Sequence, residues 1–120
     1  MRHRVDTAGA DAESLAAAFL VAQGLSIVAR NVRSRFGEID LVARDGDTLV
    51  FVEVRLRSGQ AFGGAATSIT RAKQARLVAA ARIYLANLRR EPPCRFDAVL
   101  FDKLDPGRAT WQRDIIDTSD

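Results

Sequence analysis

Charged residues in two short segments could together bind a metal ion. Glu38 and Asp40 are separated by one residue, and so are Glu53 and Arg55. Because side chains two positions apart share one face of a strand, pairing of the segments would bring three carboxylates beside one guanidinium. Such crowding is unfavourable unless a cation is present, and Mg²⁺ accepts carboxylate oxygens readily. The pattern therefore indicates a divalent-metal site at Asp40 and Glu53.

A purely structural interpretation of the same residues is also open at this point. In it, Glu38 faces solvent and Glu53 pairs with Arg55 or with an arginine from a basic helix. The residue types alone do not separate the two interpretations.

The acidic residues belong to a predicted hairpin. Segments 37–43 and 48–54 read as strands, and Asp45-Gly46 between them is a preferred tight-turn pair. If these two residues are at the centre of the turn, one face of the hairpin is wholly apolar and carries Ile39, Leu41, Ala43, Val50, Val52 and Val54.

The same turn predicts which residues face one another. Asp40 would lie opposite Phe51 and Glu38 opposite Glu53, so that Asp40 and Glu53 are diagonal neighbours about 7–8 Å apart at the backbone. Carboxylates at that spacing can close on one cation. A turn of odd length would reverse the faces and remove the site.

The remaining elements predict an α/β fold, with a mixed sheet flanked by helices in the order α-β-β-β-α-β-(β). The second helix, capped by Thr70, should bury Leu77, Ala81, Tyr84 and Leu88. A crossover through this helix should place the next strand parallel to a neighbour. The predicted elements are helices at 8–23 and 70–88, strands at 26–32 and 95–101, and an edge strand around 110–116.

Length and composition predict one cytoplasmic domain. The chain has 120 residues, of which 48% are hydrophobic and 28% charged, which excludes wholesale disorder. We expect one domain over 1–120, with a core at about 8–116 and a polar tail at 117–120. The single cysteine, Cys94, indicates a reducing compartment, and no membrane or targeting segment is expected.

The charge is distributed unevenly along the chain. The net charge is only +3, but segment 54–90 contains eight cations and no acid, whereas 37–53 contains five acids. Acids that hold a cation beside a basic surface that holds phosphates would suit an enzyme acting on a polyanion. A solvated helix face next to polar turns is the alternative explanation.

The motifs resemble a known family. The block GEIDLVARDGDTLVFVEVR at 37–55 looks like the Asp…Glu-x-Lys signature of the restriction-endonuclease-like superfamily. The wider set resembles the YraN-like family of candidate endonucleases, whose fold is similar to that of archaeal Holliday-junction resolvases. Besides this block, the matching motifs are Ala16–Leu20, Gln23-Gly24, Asn31–Arg33, Phe62-Gly63, Lys73-Gln74, Tyr84-Leu85 and Arg95–Asp97.

The resemblance implies roles for individual residues. Asp40 and Glu53 would be the metal-binding carboxylates, and Glu13 would be the first-helix acid that resolvase-like members bring to the same metal. An ordinary helix acid near a positive helix N-terminus is the alternative for Glu13. Arg55 occupies the lysine position and departs from the signature. Because arginine stays protonated, it can stabilise a pentavalent phosphate but cannot act as a base.

The basic segment supplies the expected phosphate contacts. Lys73 and Gln74 could contact phosphate, although a solvated helix start explains them equally well. Phe62 could stack on a base, although an aromatic residue in a loop more commonly packs inward. The expected nucleic-acid-binding residues are Arg57, Arg71, Lys73, Gln74, Arg76 and Arg82.

Together these patterns predict a nuclease dependent on Mg²⁺ or Mn²⁺. The expected partner is nucleic acid, DNA in preference to RNA, bound mainly through phosphates with little sequence preference. The resemblance suggests a homodimer. A non-catalytic nucleic-acid-binding module and a structural or interaction domain are the alternatives. The substrate, whether junction, flap, single strand or RNA, is left open by the sequence.

Overall fold

A mixed sheet of five strands forms the centre of the protein. The computed structural model describes residues 7–56, 69–102 and 109–116, with side chains from residue 11 onward. In this part of the chain the elements are α1 (Thr7–Ala22), β1 (Ser26–Ser34), β2 (Gly37–Asp45), β3 (Thr48–Leu56), α2 (Arg71–Ala86), β4 (Cys94–Phe101) and β5 (Ala109–Gln112).

The strands lie in chain order across the sheet, β1-β2-β3-β4-β5. β3 and β4 are parallel, and the other neighbouring pairs are antiparallel. A parallel pair needs a long crossover, which here contains α2. The predicted mixed α/β fold, its element order and the parallel placement of the strand after α2 are confirmed.

The β2–β3 turn differs from the predicted one by one position. Asp45 pairs with Thr48, so Gly46 and Asp47 are the central residues of the turn. Gly46 has a φ of +62°, as a tight hairpin turn with glycine first requires. The predicted turn would have required positive φ at Asp45 as well, and Asp45 is not among the described residues with positive φ.

This turn changes the predicted cross-strand pairs. Phe51 lies opposite Val42 rather than opposite Asp40, and Glu38 pairs with Arg33 of β1 rather than with Glu53. The predicted pairs and the diagonal placement derived from them are wrong. Because the register moved by two residues and not by one, side chains near the turn keep their predicted faces.

The two faces of the sheet bury separate apolar clusters. Alanines of α1 let that helix pack close to one face, where Leu41, Ala43, Val50 and Val52 are fully buried. α2 covers the other face. Its cluster contains Val42, Leu49, Phe51, Leu77, Ala80, Ala81 and Phe96.

Ile39 is an exception to the predicted alternation. It is fully buried in the α2 cluster, not in the α1 cluster with Leu41 and Val52. The pairs Arg30↔Leu41 and Val32↔Ile39 place Asn31 opposite Asp40, and Asn31 has a φ of +49°. A left-handed residue interrupts the alternation of a strand, so the hairpin end beyond Asn31 is rotated relative to the rest.

Helix α2 begins where it was predicted and ends two residues earlier. Thr70 is the N-cap, and its side-chain oxygen accepts a hydrogen bond from the Lys73 amide. Tyr84 packs its ring edge-on against Phe51, with the centroids 5.9 Å apart. Leu88 lies beyond the Asn87 C-cap and is 38% exposed, so its predicted place on the buried stripe is wrong.

A buried carboxylate joins β4 to the chain around β5. Asp97 is fully buried and accepts hydrogen bonds from the Arg95 guanidinium, from Trp111 Nε1 and from the Asp114 amide. Arg95 also pairs with Asp45 at 3.0 Å. Since each buried acceptor is satisfied, Asp97 has a structural role.

Neither helix in the described ranges combines the length and the apolar composition that a bilayer span requires.

Candidate metal centre and nucleic-acid interface

The site begins where β2 and β3 separate. Their paired residues run from the turn as far as Leu41 and Val52. Beyond that point Asp40 Oδ2 accepts the Val54 N–H at 2.8 Å, in place of a backbone carbonyl. The side chain of Asp40 thus ends the ladder and holds its own carboxylate in the gap between the strands.

Three carboxylates meet beside this gap. One oxygen from each of Glu13, Glu38 and Asp40 lies within 4.8 Å of the other two. Glu13 comes from α1, while Glu38 and Asp40 come from β2. This trio is called the acidic cluster below. It contains Glu13 and Asp40, two of the three residues predicted to bind metal, and adds Glu38.

Asn31 links two members of the acidic cluster. Its Nδ2 donates to Glu13 Oε1 at 2.7 Å and to Glu38 Oε2 at 2.6 Å. The left-handed backbone at Asn31, which asparagine tolerates better than most residues, directs its amide to this position. Sequence reasoning gave Asn31 no role, although asparagine inside a predicted strand was a signal that could have drawn attention to it.

Burial and neighbouring charge change the acidity of Asp40. They raise its pKa from 3.8 to about 7, mainly because burial disfavours the charged form, although the Val54 hydrogen bond opposes this. The charges of Glu53, Glu13 and Glu38 raise the pKa further. A cation at the acidic cluster would remove much of this penalty.

Glu53 lies in the same region but has cationic partners. It is only 6% exposed, and its Oε2 is 3.2 Å from Lys73 Nζ and 3.6 Å from Arg55 Nη1. The predicted alternative in which Glu53 pairs with Arg55 is therefore present, with a lysine of α2 as the second cation. Glu53 is not among the three carboxylates of the acidic cluster.

A cavity of about 290 Å³ connects these groups. Its walls are both acidic and basic, since α2 contributes Lys73 and Arg76 and the strands contribute carboxylates. It is lined by Phe36, Gly37, Glu38, Asp40, Glu53, Lys73, Arg76 and Leu77. The cavity can therefore hold a cation and an anion side by side.

The other predicted phosphate contacts on α2 lie on a second surface. Arg71, Gln74 and Arg82 line a shallow groove with Ile116. Gln74 also donates its side-chain amide to the Ile69 carbonyl at 3.2 Å, which occupies one of its donors. Arg57 and Phe62 lie outside the described residues.

Known proteins similar to this chain share nearly its whole length. Residues 12–101 match the group described as "Uncharacterised protein family UPF0102". The chain belongs to the UPF0102 family. A UPF0102 protein of Nitrosomonas europaea is 55% identical over 92% of this chain and 94% of its own length. One from Cupriavidus taiwanensis is 60% identical over 91% and 82%, and one from Nitrosospira multiformis is 53% identical over 92% and 93%.

UPF0102 is the YraN-like family, so the match confirms that part of the resemblance expected from the sequence motifs. The segment matching UPF0102 contains the acidic cluster, Glu53 and its cationic partners, and every residue that lines the cavity.

Proposed function

We propose that this UPF0102 protein is a metal-dependent nuclease that hydrolyses phosphodiester bonds of nucleic acid, with a restriction-endonuclease-like, resolvase-like fold. The observation that carries the proposal is the convergence of Glu13, Glu38 and Asp40 from two elements beside a cavity that is also lined by cationic residues of α2. Two of these carboxylates are brought together by the rotated end of the β1–β2 hairpin, and the third by α1.

The acidic cluster suits Mg²⁺ or Mn²⁺. Carboxylate oxygens are the ligands that these hard cations prefer, and opposite ligands of Mg²⁺ lie about 4.2 Å apart. Only one pair among three octahedral ligands can be opposite, and neighbouring ligands lie about 3 Å apart. Side-chain rotation would therefore have to draw the three oxygens, which lie within 4.8 Å of one another, closer together around the cation. Such a cation supplies an acidified water and neutralises phosphate charge. Glu53 would join the ligands only if it gave up its contact with Lys73.

The chain's own cations would hold the phosphate. Lys73 and Arg76 line the same cavity as the strand carboxylates, and both Lys73 and Arg55 lie beside Glu53. Arg55 would stabilise negative charge in the transition state without accepting a proton. Arg71 and Arg82 would hold phosphates farther along the nucleic-acid strand, so DNA binding should depend on the charge of the phosphate backbone more than on base sequence.

A nucleic-acid-binding module without turnover is the second candidate. Two observations favour it. Glu53 is paired with Lys73 and Arg55, and Arg55 occupies the position where the motif has lysine. In this alternative the same surface binds phosphates, but no water is activated.

Cleavage assays separate the two candidates. The purified protein is incubated with a panel of branched and linear DNAs and RNAs in Mg²⁺, in Mn²⁺ and in EDTA. A nuclease should cut at least one of them only when the metal is present. Asp40→Asn should abolish cleavage and retain or tighten DNA binding, because one carboxylate that repels phosphate is removed. Asp47→Asn, in the exposed β2–β3 turn, is the matched control.

Arg55→Lys tests the unusual motif residue in the same assay. An increase in cleavage would mean that the natural site is attenuated, and a decrease would mean that the guanidinium suits its phosphate. If Asp40→Asn and Arg55→Lys both cleave like the parent, the activity does not belong to this site. Sedimentation of the same samples tests the proposed homodimer.

A further inference from the structure

An exposed aromatic ring lines the charged cavity. Phe36 occupies the β1–β2 turn, is 36% exposed and lines the cavity together with the strand carboxylates. It belongs to none of the three apolar clusters that the described residues form. A large apolar side chain that is kept out of the core and lines a polar cavity is available to a ligand.

The turn around Phe36 is held by several contacts. The Phe36 amide donates to Ser34 Oγ at 3.1 Å, and Ser34 Oγ donates to the Gly37 carbonyl at the same distance. Ser34 and Gly37 pair across the hairpin, and Gly37 has a φ of +129° that favours glycine. The Arg35 guanidinium lies over the ring, 5.0 Å from its centroid. Arg35 holds the ring from one side, which leaves the other face for a ligand, and a ring held in this way loses little conformational entropy when a ligand stacks on it.

The neighbours of Phe36 indicate which ligand would use it. Lys73 and Arg76 line the same cavity and would hold an anion, while an aromatic face suits a planar ring. A nucleotide carries both groups in one unit. Within a duplex the faces of a base are covered by its stacked neighbours, so only an unpaired nucleotide can offer one to the protein.

We propose that Phe36 is a stacking platform for an unpaired base, so that the site selects single-stranded DNA or the single-stranded part of a branched DNA. The proposal rests on the proposed function, since it takes the phosphate of that nucleotide to lie in the charged cavity. Base–aromatic stacking contributes about 5- to 150-fold in affinity for one base.

Binding of fluorescent DNA tests the platform directly. All proteins carry Asp40→Asn, so that the DNA stays intact in Mg²⁺. The probes are a single-stranded oligonucleotide containing 2-aminopurine, whose fluorescence falls when it stacks, and a blunt duplex of the same sequence. Phe36→Ala and Phe36→Trp are compared with Leu88→Ala, which truncates an apolar residue of similar exposure outside the lining of the cavity. Circular dichroism of each variant establishes that it is folded.

Phe36→Ala should weaken single-strand binding about 5- to 150-fold, leave duplex binding within about twofold and abolish the fluorescence change. Phe36→Trp should retain single-strand binding, duplex binding and the fluorescence change, and Leu88→Ala should bind like its parent. Equal losses for single strand and duplex, or no loss for either, would overturn the platform.

The proposed function can fail separately. If the protein without Asp40→Asn cuts nothing but single-strand binding still depends on Phe36, the stacking role of Phe36 is supported and the nuclease proposal is wrong. If the protein without Asp40→Asn cuts DNA while Phe36→Ala binds single strands normally, the nuclease proposal is supported and the stacking proposal is wrong. Failure to bind any of the DNAs would overturn both.

Discussion

Asp40 should make the stability of the metal-free protein depend on pH. Its carboxyl group has a pKa of about 7 in the folded protein, compared with 3.8 for an unperturbed carboxyl. We consider Asp40→Asn, which keeps the shape of the side chain and an oxygen that can accept the Val54 N–H. The variant removes the titration and retains the contact that ends the β2–β3 ladder.

The direction of the effect follows from which state holds the proton. Between about pH 4 and pH 7 the unfolded chain has lost the Asp40 proton while the folded protein keeps it. As the pH rises through this range, the free energy of unfolding of the parent should therefore fall by about 1.4 kcal/mol per pH unit. This loss of stability should be complete above pH 7. The full change corresponds to about 4 kcal/mol. Because Asp40 retains some contact with water, we expect about 2–4 kcal/mol.

Urea unfolding in EDTA, from pH 4.5 to pH 8.5, measures this difference. Asp40→Asn should match the parent at the acidic end and exceed it by about 2–4 kcal/mol at pH 8. The control Asp47→Asn removes an exposed carboxylate from the β2–β3 turn, at the opposite end of β2, and should follow the parent. Parallel pH curves for the parent and Asp40→Asn would refute the placement of a buried, crowded carboxyl at this position.

Three further measurements test other parts of the structure. Glu38→Gln should weaken Mn²⁺ binding by at least about tenfold in calorimetric titration, because it removes one of three converging ligands, and unchanged affinity would place the metal elsewhere. Asp97→Ala should lower the free energy of unfolding by about 3–5 kcal/mol in urea, since its buried donors lose their acceptor, and a loss below about 1 kcal/mol would contradict the network. Arg76→Gln should reduce the slope of log affinity for DNA against log salt concentration by about one, whereas Gln74→Ala should leave it unchanged; equal slopes for parent and Arg76→Gln would remove Arg76 from the phosphate surface.

Local signals allowed the element order to be predicted from sequence. The Thr70 cap, the glycine-containing turn and the apolar strands each specify structure within a few residues, and they agree with one another. The register of β2 and β3 was less accessible. It depends on whether Asp45 or Gly46 begins the centre of the turn, and the dipeptide alone fits either arrangement.

Residue patterns predicted the candidate site only where it lies on one strand pair, and Glu13 was expected only through the family resemblance. Asp40 follows from alternation along β2, whereas the partnership of Glu13 with Glu38 depends on how α1 docks and on the rotation at Asn31. The contact of Lys73 with Glu53 likewise depends on the position of α2 over the sheet. Packing between elements has no periodic pattern in the sequence, so these contacts could not be read from it.

The chain order of the sheet has a consequence for how the protein is assembled. α1 and the first three strands are complete by residue 56, and each of these strands pairs with its neighbour in sequence, so this part of the sheet can form while the rest of the chain is still being synthesised. This nascent unit already contains Asp40 and Glu53, but Lys73 arrives only with α2. Until α2 docks, Glu53 lacks this partner, so salt or mild acid, which weakens repulsion between the acids, should stabilise the nascent unit.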